Sequence, residues 1–511
     1  MILTRPYRNN PGIVSKALPA ALGLVLFLGV CSSRSVCSAA AKAPAAIPAE
    51  SVSGMAAAVR TAGPAELPET LRKEVSAAAV TAAAASLCSG TYKNGAASQE
   101  HQLFMDYGWH VTPYLYRDGR TVIHFDVAVG NKPVAGVLPT ILAVRGSQSR
   151  SDWALNLKTR PVPFAEADSR KNPAKDENVP AVHQGFDQYA RALLATPVDI
   201  DGDGVPDPLP AYLKAHPERR LLFTGHSLGG AAATLAAARL AVQGVPREQI
   251  PVITFGAPAV GNRAFGETWG SRIDLLRVVT SLDPVPGSLQ TFIGGGYAQF
   301  GKVQKFSLSR KYASFQHPIS FYYDLAVKHF YDSWDKAIAA GALAAPPQEY
   351  RTEGKPLVAL AVYSRNKGFD DRFSPDLGRF VLDEYRALLP SYTVVGKGSL
   401  PGDDFAEPQF IGERARKAGA SWLIVATVDQ KRIGQTRQWY LTVTQHIRPL
   451  QGRNLPADTM GSASVSFDRG VVQTVLALLE EQKQQLKGVL PFVEEQRALW
   501  IGEEGDTNED H

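Results

Sequence analysis

Cysteine is scarce in this chain: three among 511 residues, at positions 31, 37 and 88. A fold stapled by disulfides is excluded, and so is a thiolate zinc site, because no Cys-x-x-Cys spacing and no His-Glu-x-x-His occur. Long apolar runs are also lacking. The best candidate, Ala17–Val30, falls short of the ~20 residues that a membrane-crossing helix needs. Charge of one sign is nearly absent as well. The formal balance is +5, and four basic residues (Arg5, Arg8, Lys16 and Arg34) stand in the first forty positions with no acid among them, so the rest carries about +1. A nearly neutral body gives no electrostatic footprint for nucleic acid. What is present is 45% hydrophobic and 20% charged residues, the mixture of a globular chain with a buried core. The length predicts more than one domain.

Arg5, Arg8 and Lys16 precede the apolar run, and Ser38-Ala39-Ala40 follows it as a small-x-small cleavage site, so residues 1–40 read as an export signal. Cleavage after Ala40 leaves Cys88 as the single cysteine. Leu28-Gly29-Val30-Cys31 resembles a lipobox, and a lipid anchor at Cys31 is the alternative form of export, with Val30 a poor fit to that box. Either way the protein is expected in the periplasm or outside the cell, with at most peripheral membrane contact. Residues 41–90 form an Ala-rich tether that ends in a predicted helix over 69–88.

From Gly108 the texture changes. Val111–Tyr116 and Thr121–Val129 are β-rich runs joined by a turn containing Asp118-Gly119, and strands then alternate with helices as far as residue 345. That alternation predicts an α/β domain over 91–345. Ala339–Pro347 reads as a linker, and residues 355–490 as a second, smaller α+β domain. The tail at 491–511 is acidic.

The chemistry is concentrated at Gly225-His226-Ser227-Leu228-Gly229-Gly230. In a chain with 44 glycines a bare G-x-S-x-G means little. Here an apolar strand, Arg220–Thr224, runs into it, and a helix of small residues, Ala231–Ala241, follows. That is the context of a nucleophile elbow, a sharp turn that exposes the serine oxygen at the end of a sheet. A serine hydroxyl needs a base, and the base needs an orienting acid. Asp283 follows the apolar strand Leu275–Thr280 at its C-terminal end, where open α/β sheets place functional groups. His329, in the last helical segment of the first domain, is the expected base, with His317 as the alternative. The backbone N–H of Leu228 and the N–H and hydroxyl of Ser147, just past the strand Thr140–Val144, are expected to receive a developing oxyanion.

These stretches together resemble the class 3 (fungal-type) lipases of the α/β-hydrolase fold. The carrying residues are Val144-Arg145-Gly146-Ser147 with Asp152-Trp153, His183-Gln184-Gly185-Phe186, the Ser227 elbow, Thr254-Phe255-Gly256-Ala257-Pro258 with Gly261-Asn262, and Asp283-Pro284-Val285-Pro286. The resemblance implies hydrolysis of a lipid or small carboxylic ester through an acyl-serine, without an organic cofactor. Two departures stand out: Ala259 where the family usually carries Arg, and a polar stretch through Arg170, Lys171, Lys175, Asp176 and Glu177 where an interfacial lipase has an apolar lid. A polar lid points to soluble or short-chain esters, or to phospholipid head groups. The rival reading is a non-catalytic envelope scaffold that binds acylated or glycan partners. The second domain resembles, more distantly, small periplasmic modules such as the N-terminal domain of the TolB protein, which implies a cell-envelope partner for residues 355–490. Finally, Asp199, Asp201, Asp203 and Asp207 lie at positions 1, 3, 5 and 9 of a loop with Gly204 at its turn, a calcium-type pattern that lacks the acidic residue at position 12.

Overall fold

The computed structural model describes residues 66–92, 98–106, 108–118, 121–131, 139–147, 161–164, 176–292, 296–308, 315–367, 374–399, 410–432, 439–451, 459–467, 470–490 and 492–493. The export signal, the Cys31 lipobox, most of the polar lid stretch and the acidic tail lie outside the described residues. Among the described residues no helix is long and apolar enough to cross a membrane. The described chain divides into two compact units, one spanning 83–325 and the other joining 66–82 to residues from 326 onward.

The first unit is an α/β sheet of seven strands in sequential order. β1 (Trp109–Asp118) and β2 (Thr121–Gly130) form an antiparallel hairpin, with Asp118 opposite Thr121. β2 pairs antiparallel with β3 (Thr140–Val144). From there the strands run parallel: β4 (Leu221–His226), β5 (Val252–Phe255), β6 (Leu275–Thr280) and β7 (Lys302–Phe306). β3 is buried along its whole length, as expected of a strand covered on both faces. A smaller four-stranded sheet is built from Pro161–Pro163, Ala181–His183, Gly261–Asn262 and Tyr297–Ala298.

The helix Leu228–Val242 is buried on nearly every side. Its run of alanines allows that, because small side chains let the helix axis approach the sheet, and a helix apolar all round belongs in a core. Where it leaves β4, a Cβ on Gly229 would drive into the Val144 carbonyl oxygen and come within 2.8 Å of the Arg145 carbonyl carbon. Glycine at this position is therefore a condition of the close crossing between strand and helix.

The second unit holds a six-stranded mixed sheet, in the order 349–350, 392–399, 358–367, 422–432, 439–449, 459–467. Strand 358–367 is parallel to both of its neighbours, and the outer strands are antiparallel. Ile411 and Ala415 of a short helix pack on Ala359, Ala361, Leu423 and Val425. Inside this unit Lys483 and Glu384 form an ion pair at 2.7 Å with both side chains only 1% exposed.

Candidate active site

Four strand ends of the first sheet converge on one place. β4 delivers Ser227, which starts the helix with φ 57° and ψ −125°. Among the described residues it is the only non-glycine with positive φ. For an L-residue that conformation is strained, and the surrounding structure must hold it. The Ser227 N–H donates to the Phe255 carbonyl of β5 (2.9 Å), and the Ser227 carbonyl accepts from Ala231 N–H (3.2 Å). Both ends of the turn are thus pinned, and the side chain projects beyond the sheet.

The Ser227 hydroxyl lies 2.9 Å from Nε2 of His317. The other nitrogen of that ring, Nδ1, is 2.9 Å from Oδ2 of Asp283. Asp283 follows β6, and its side chain is fully buried. The Val285 N–H donates to Oδ1 (2.9 Å) and the Tyr322 hydroxyl to Oδ2 (2.6 Å). Burial, with the Asp283 charge alongside, pushes the Tyr322 hydroxyl well above its ordinary pKa, so it stays a donor. Three donors fix the carboxylate, and the carboxylate fixes the imidazole with Nδ1 protonated and Nε2 free to accept. Such an arrangement can take a proton from the serine as its oxygen attacks.

This geometry corrects the expected base. His329 lies ten residues into the helix Ile319–Ala339, about 15 Å along its axis from the first turn, whereas His317 stands just before that helix. His329 is partly buried, and its pKa is lowered chiefly by that burial. Both histidines follow Asp283 in the chain, so order could not separate them. What decides is the short segment 315–317, outside any helix or strand, from which the Gln316 N–H donates to the Leu282 carbonyl (3.3 Å) and ties His317 to the loop that carries Asp283.

Ser147 stands three residues beyond the end of β3, and its hydroxyl is buried with no hydrogen-bond partner among the described residues. A Cβ added at the neighbouring Gly146 would lie 3.2 Å from the Ser227 Cβ, which places this loop directly against Ser227. Leu228 is the first residue of its helix, where the N–H has no carbonyl four residues back and the helix dipole favours negative charge. Sequence reasoning missed Tyr322, which lay unmarked in a Tyr/Phe-rich run, and the part played by His226 inside the motif itself.

Residues 141–292 match the family model described as lipase (class 3). The segment that holds Ser227 and Asp283 is a class 3 lipase match. Phospholipase A(1) DAD1 of Arabidopsis thaliana is 31% identical over 155 residues, which is 29% of this chain and 33% of that protein. A lipase of Rhizomucor miehei is 31% identical over 152 residues, 28% of this chain and 36% of that one. Phospholipase A1-II 3 of Oryza sativa subsp. japonica is 32% identical over 168 residues, 30% and 39% respectively. The chain therefore spans little more than a third of the length of these curated relatives. A solved triacylglycerol lipase whose catalytic centre is described as a serine protease triad aligns with 44% of this chain and 78% of its own, at 21% identity and a TM-score of 0.34. His317 lies beyond the end of the class 3 lipase match. Asn262, inside it, is structural: its side chain caps the helix that starts at Arg263 and accepts from the N–H groups of Phe265 and Ala181 at 2.9 and 3.0 Å.

The acidic loop brings three of its four expected carboxylates together. Ligand oxygens of Asp199, Asp201 and Asp203 lie within 4.8 Å of one another, and Asp207 is not among them. Asp207 instead closes the loop through its backbone, paired with Val198 at 2.8 and 2.9 Å. Asp199 accepts from the N–H groups of Gly202 (2.7 Å) and Gly204 (3.0 Å), so the loop wraps around its carboxylate. The donor set, clustered carboxylate oxygens, suits a hard cation, with three protein ligands where four were expected.

Proposed function

We propose that this chain is a serine hydrolase of carboxylic esters in lipids. The observation that carries the reading is the line of contacts from the Ser227 hydroxyl through His317 to Asp283, each at 2.9 Å. The family match and the relatives named lipase and phospholipase A1 support it. In this reading Ser227 Oγ attacks the ester carbonyl as His317 Nε2 takes its proton. The negative carbonyl oxygen is received by the Leu228 N–H and by the Ser147 N–H and hydroxyl. The C–O bond to the alcohol then breaks, His317 returns its proton to the departing oxygen, and an acyl-serine remains. Water, deprotonated by the same nitrogen, releases the acid and restores Ser227. No organic cofactor enters these steps. The positively charged start and apolar run of residues 1–40 support export as the setting.

The test compares wild type with Ser227→Ala on p-nitrophenyl esters from acetate to palmitate and on phosphatidylcholine, alongside labelling by a fluorophosphonate. Wild type is expected to hydrolyse and to label. The variant should do neither, with kcat down by about 10⁴-fold or more. The preferred substrate then separates short esters, triacylglycerol-type chains and phospholipids. Equal behaviour of the two proteins would overturn the reading and favour a scaffold that only binds.

We also infer that Asp199, Asp201 and Asp203 hold a calcium ion with a structural role, since the loop precedes β4 and contributes nothing to the triad. Calcium is expected to raise the melting temperature and a chelator to reverse it. An unchanged melting curve would leave the loop as a solvated acidic turn held by its own N–H groups.

A further inference from the structure

One hydrogen-bonded chain near the nucleophile has no place in the proton transfers above. The Gly146 N–H donates to the Tyr92 hydroxyl oxygen at 3.2 Å. That hydroxyl lies 2.6 Å from Nδ1 of His226, and Nε2 of His226 lies 2.7 Å from the backbone carbonyl oxygen of His317. Elementary chemistry fixes every proton along it. A carbonyl can only accept, so the His226 proton sits on Nε2. Burial, and secondarily the neighbouring His317, holds the His226 pKa well below its ordinary value, so the ring is neutral and Nδ1 is a bare acceptor. Tyr92 must then donate to Nδ1, and its oxygen is left to accept from Gly146. Each member has one consistent role.

The two ends of this chain are two parts of the site. Gly146 is the residue before Ser147, and His317 is the residue whose side chain contacts Ser227. His226 is also the residue before the nucleophile. Its ring lies against the His317 ring with centroids 4.7 Å apart, and against the Tyr92 ring at 5.7 Å. We propose that Tyr92 and His226 are positioning residues that hold the Ser147 loop and the His317 backbone in register with Ser227. This rests on the hydrolase reading above and deepens it, because Tyr92 lies outside the 141–292 family match.

The position of Tyr92 is itself prepared. It lies in the turn that follows the helix Glu66–Gly90, where the N–H groups of Thr91 and Tyr92 bond back to the carbonyls of Leu87 (3.2 Å) and Ser89 (3.3 Å). Cys88, one turn earlier, touches the Thr224 hydroxyl of β4 at 3.3 Å, two residues before His226. The Thr91 hydroxyl donates to the Cys88 carbonyl at 2.8 Å. The strand that ends in the nucleophile thus also anchors the helix end that presents Tyr92. A Cβ at position 146 would lie 2.6 Å from the His226 carbonyl oxygen and closer still to the Tyr92 hydroxyl, so only glycine lets the loop approach this closely. A misplacement of about 1 Å among reacting groups costs on the order of 10²-fold in rate, so such a brace has consequences for turnover.

The experiment measures kcat and KM on p-nitrophenyl butyrate, and the rate of fluorophosphonate labelling, for wild type, Tyr92→Phe, His226→Phe, the double variant and Ser227→Ala. Tyr92→Phe removes only the hydroxyl. It is expected to lower kcat by about 10- to 100-fold, to change KM less than about twofold and to slow labelling in parallel. His226→Phe keeps a ring of similar size and removes both nitrogens, so the Tyr92 hydroxyl loses its acceptor and the His317 carbonyl its donor, and the double variant should be scarcely slower than the worse single one. An unchanged kcat in Tyr92→Phe, an effect confined to KM, or single losses that multiply in the double variant would each overturn the proposal. Should Tyr92→Phe fail to fold, His226→Phe with an unchanged kcat overturns it equally. Wild type no faster than Ser227→Ala would sink the hydrolase reading first, an outcome distinct from the others.

Discussion

A histidine is assigned to a proton-transfer site by what its two ring nitrogens touch, and in this chain that criterion separates two candidates twelve residues apart. His317 has the Ser227 hydroxyl on Nε2 and a fully buried carboxylate on Nδ1. His329 stands within a helix, among Glu74, Asp332, Lys336 and Lys328. His317→Ala is therefore expected to lower kcat by about 10⁴-fold, while His329→Ala stays within roughly threefold of wild type. Steady-state rates on a single ester decide it, and the opposite ranking would refute the assignment. The difficulty from sequence was physical. Strand, turn and helix signals place Ser227 and Asp283 because both stand at strand ends, and strand ends are legible. His317 is placed by a short segment without regular secondary structure, tied through Gln316, and nothing in its composition announces that. Tyr322 was hidden for a related reason: a tyrosine in an aromatic run looks like core until its hydroxyl is seen on Asp283.

At the scale of elements, the elbow is defined as much by the crossing of strand and helix as by the serine. The alanine-rich helix allows close approach to the sheet, and Gly229 allows the last step, because a methyl group there meets backbone atoms of Val144 and Arg145 that cannot move aside. Gly229→Ala is expected to cost about 3 kcal/mol or more in denaturant unfolding, or to yield no soluble protein. A loss below about 1 kcal/mol would mean that the helix can lift from the sheet. Elements of this kind were largely legible. The hairpin at 109–130 and the strands that end near residues 144, 226 and 280 follow from apolar periodicity and turn residues. The link between the helix end at Tyr92 and the nucleophile strand was not legible, because it joins residues 134 positions apart through a hydroxyl and a ring nitrogen. The acidic loop is intermediate: spacing indicated the cluster of Asp199, Asp201 and Asp203, and only the fold shows that Asp207 serves the loop through its backbone.

At the scale of the whole molecule, each compact unit encloses its own apolar cluster. One is built around residues such as Phe125, Phe223 and Leu235, the other around Leu357, Ala359 and Leu423. Cooperative unfolding follows the core that is shared, so two cores predict two transitions in scanning calorimetry of the full chain. The buried Lys483–Glu384 pair supplies a handle on the second unit alone. Lys483→Met leaves the Glu384 carboxylate in a dry interior with its ion-pair partner removed, at a cost of about 3–5 kcal/mol, whereas Lys483→Met combined with Glu384→Leu replaces the pair by apolar contacts and should recover most of that loss. The single variant is expected to lower one transition and leave the other in place, with Ser227-dependent ester hydrolysis persisting up to the unshifted transition. A single transition that moves as one in Lys483→Met would show that the two cores unfold as one cooperative body, and hydrolysis would then be lost at the lowered temperature.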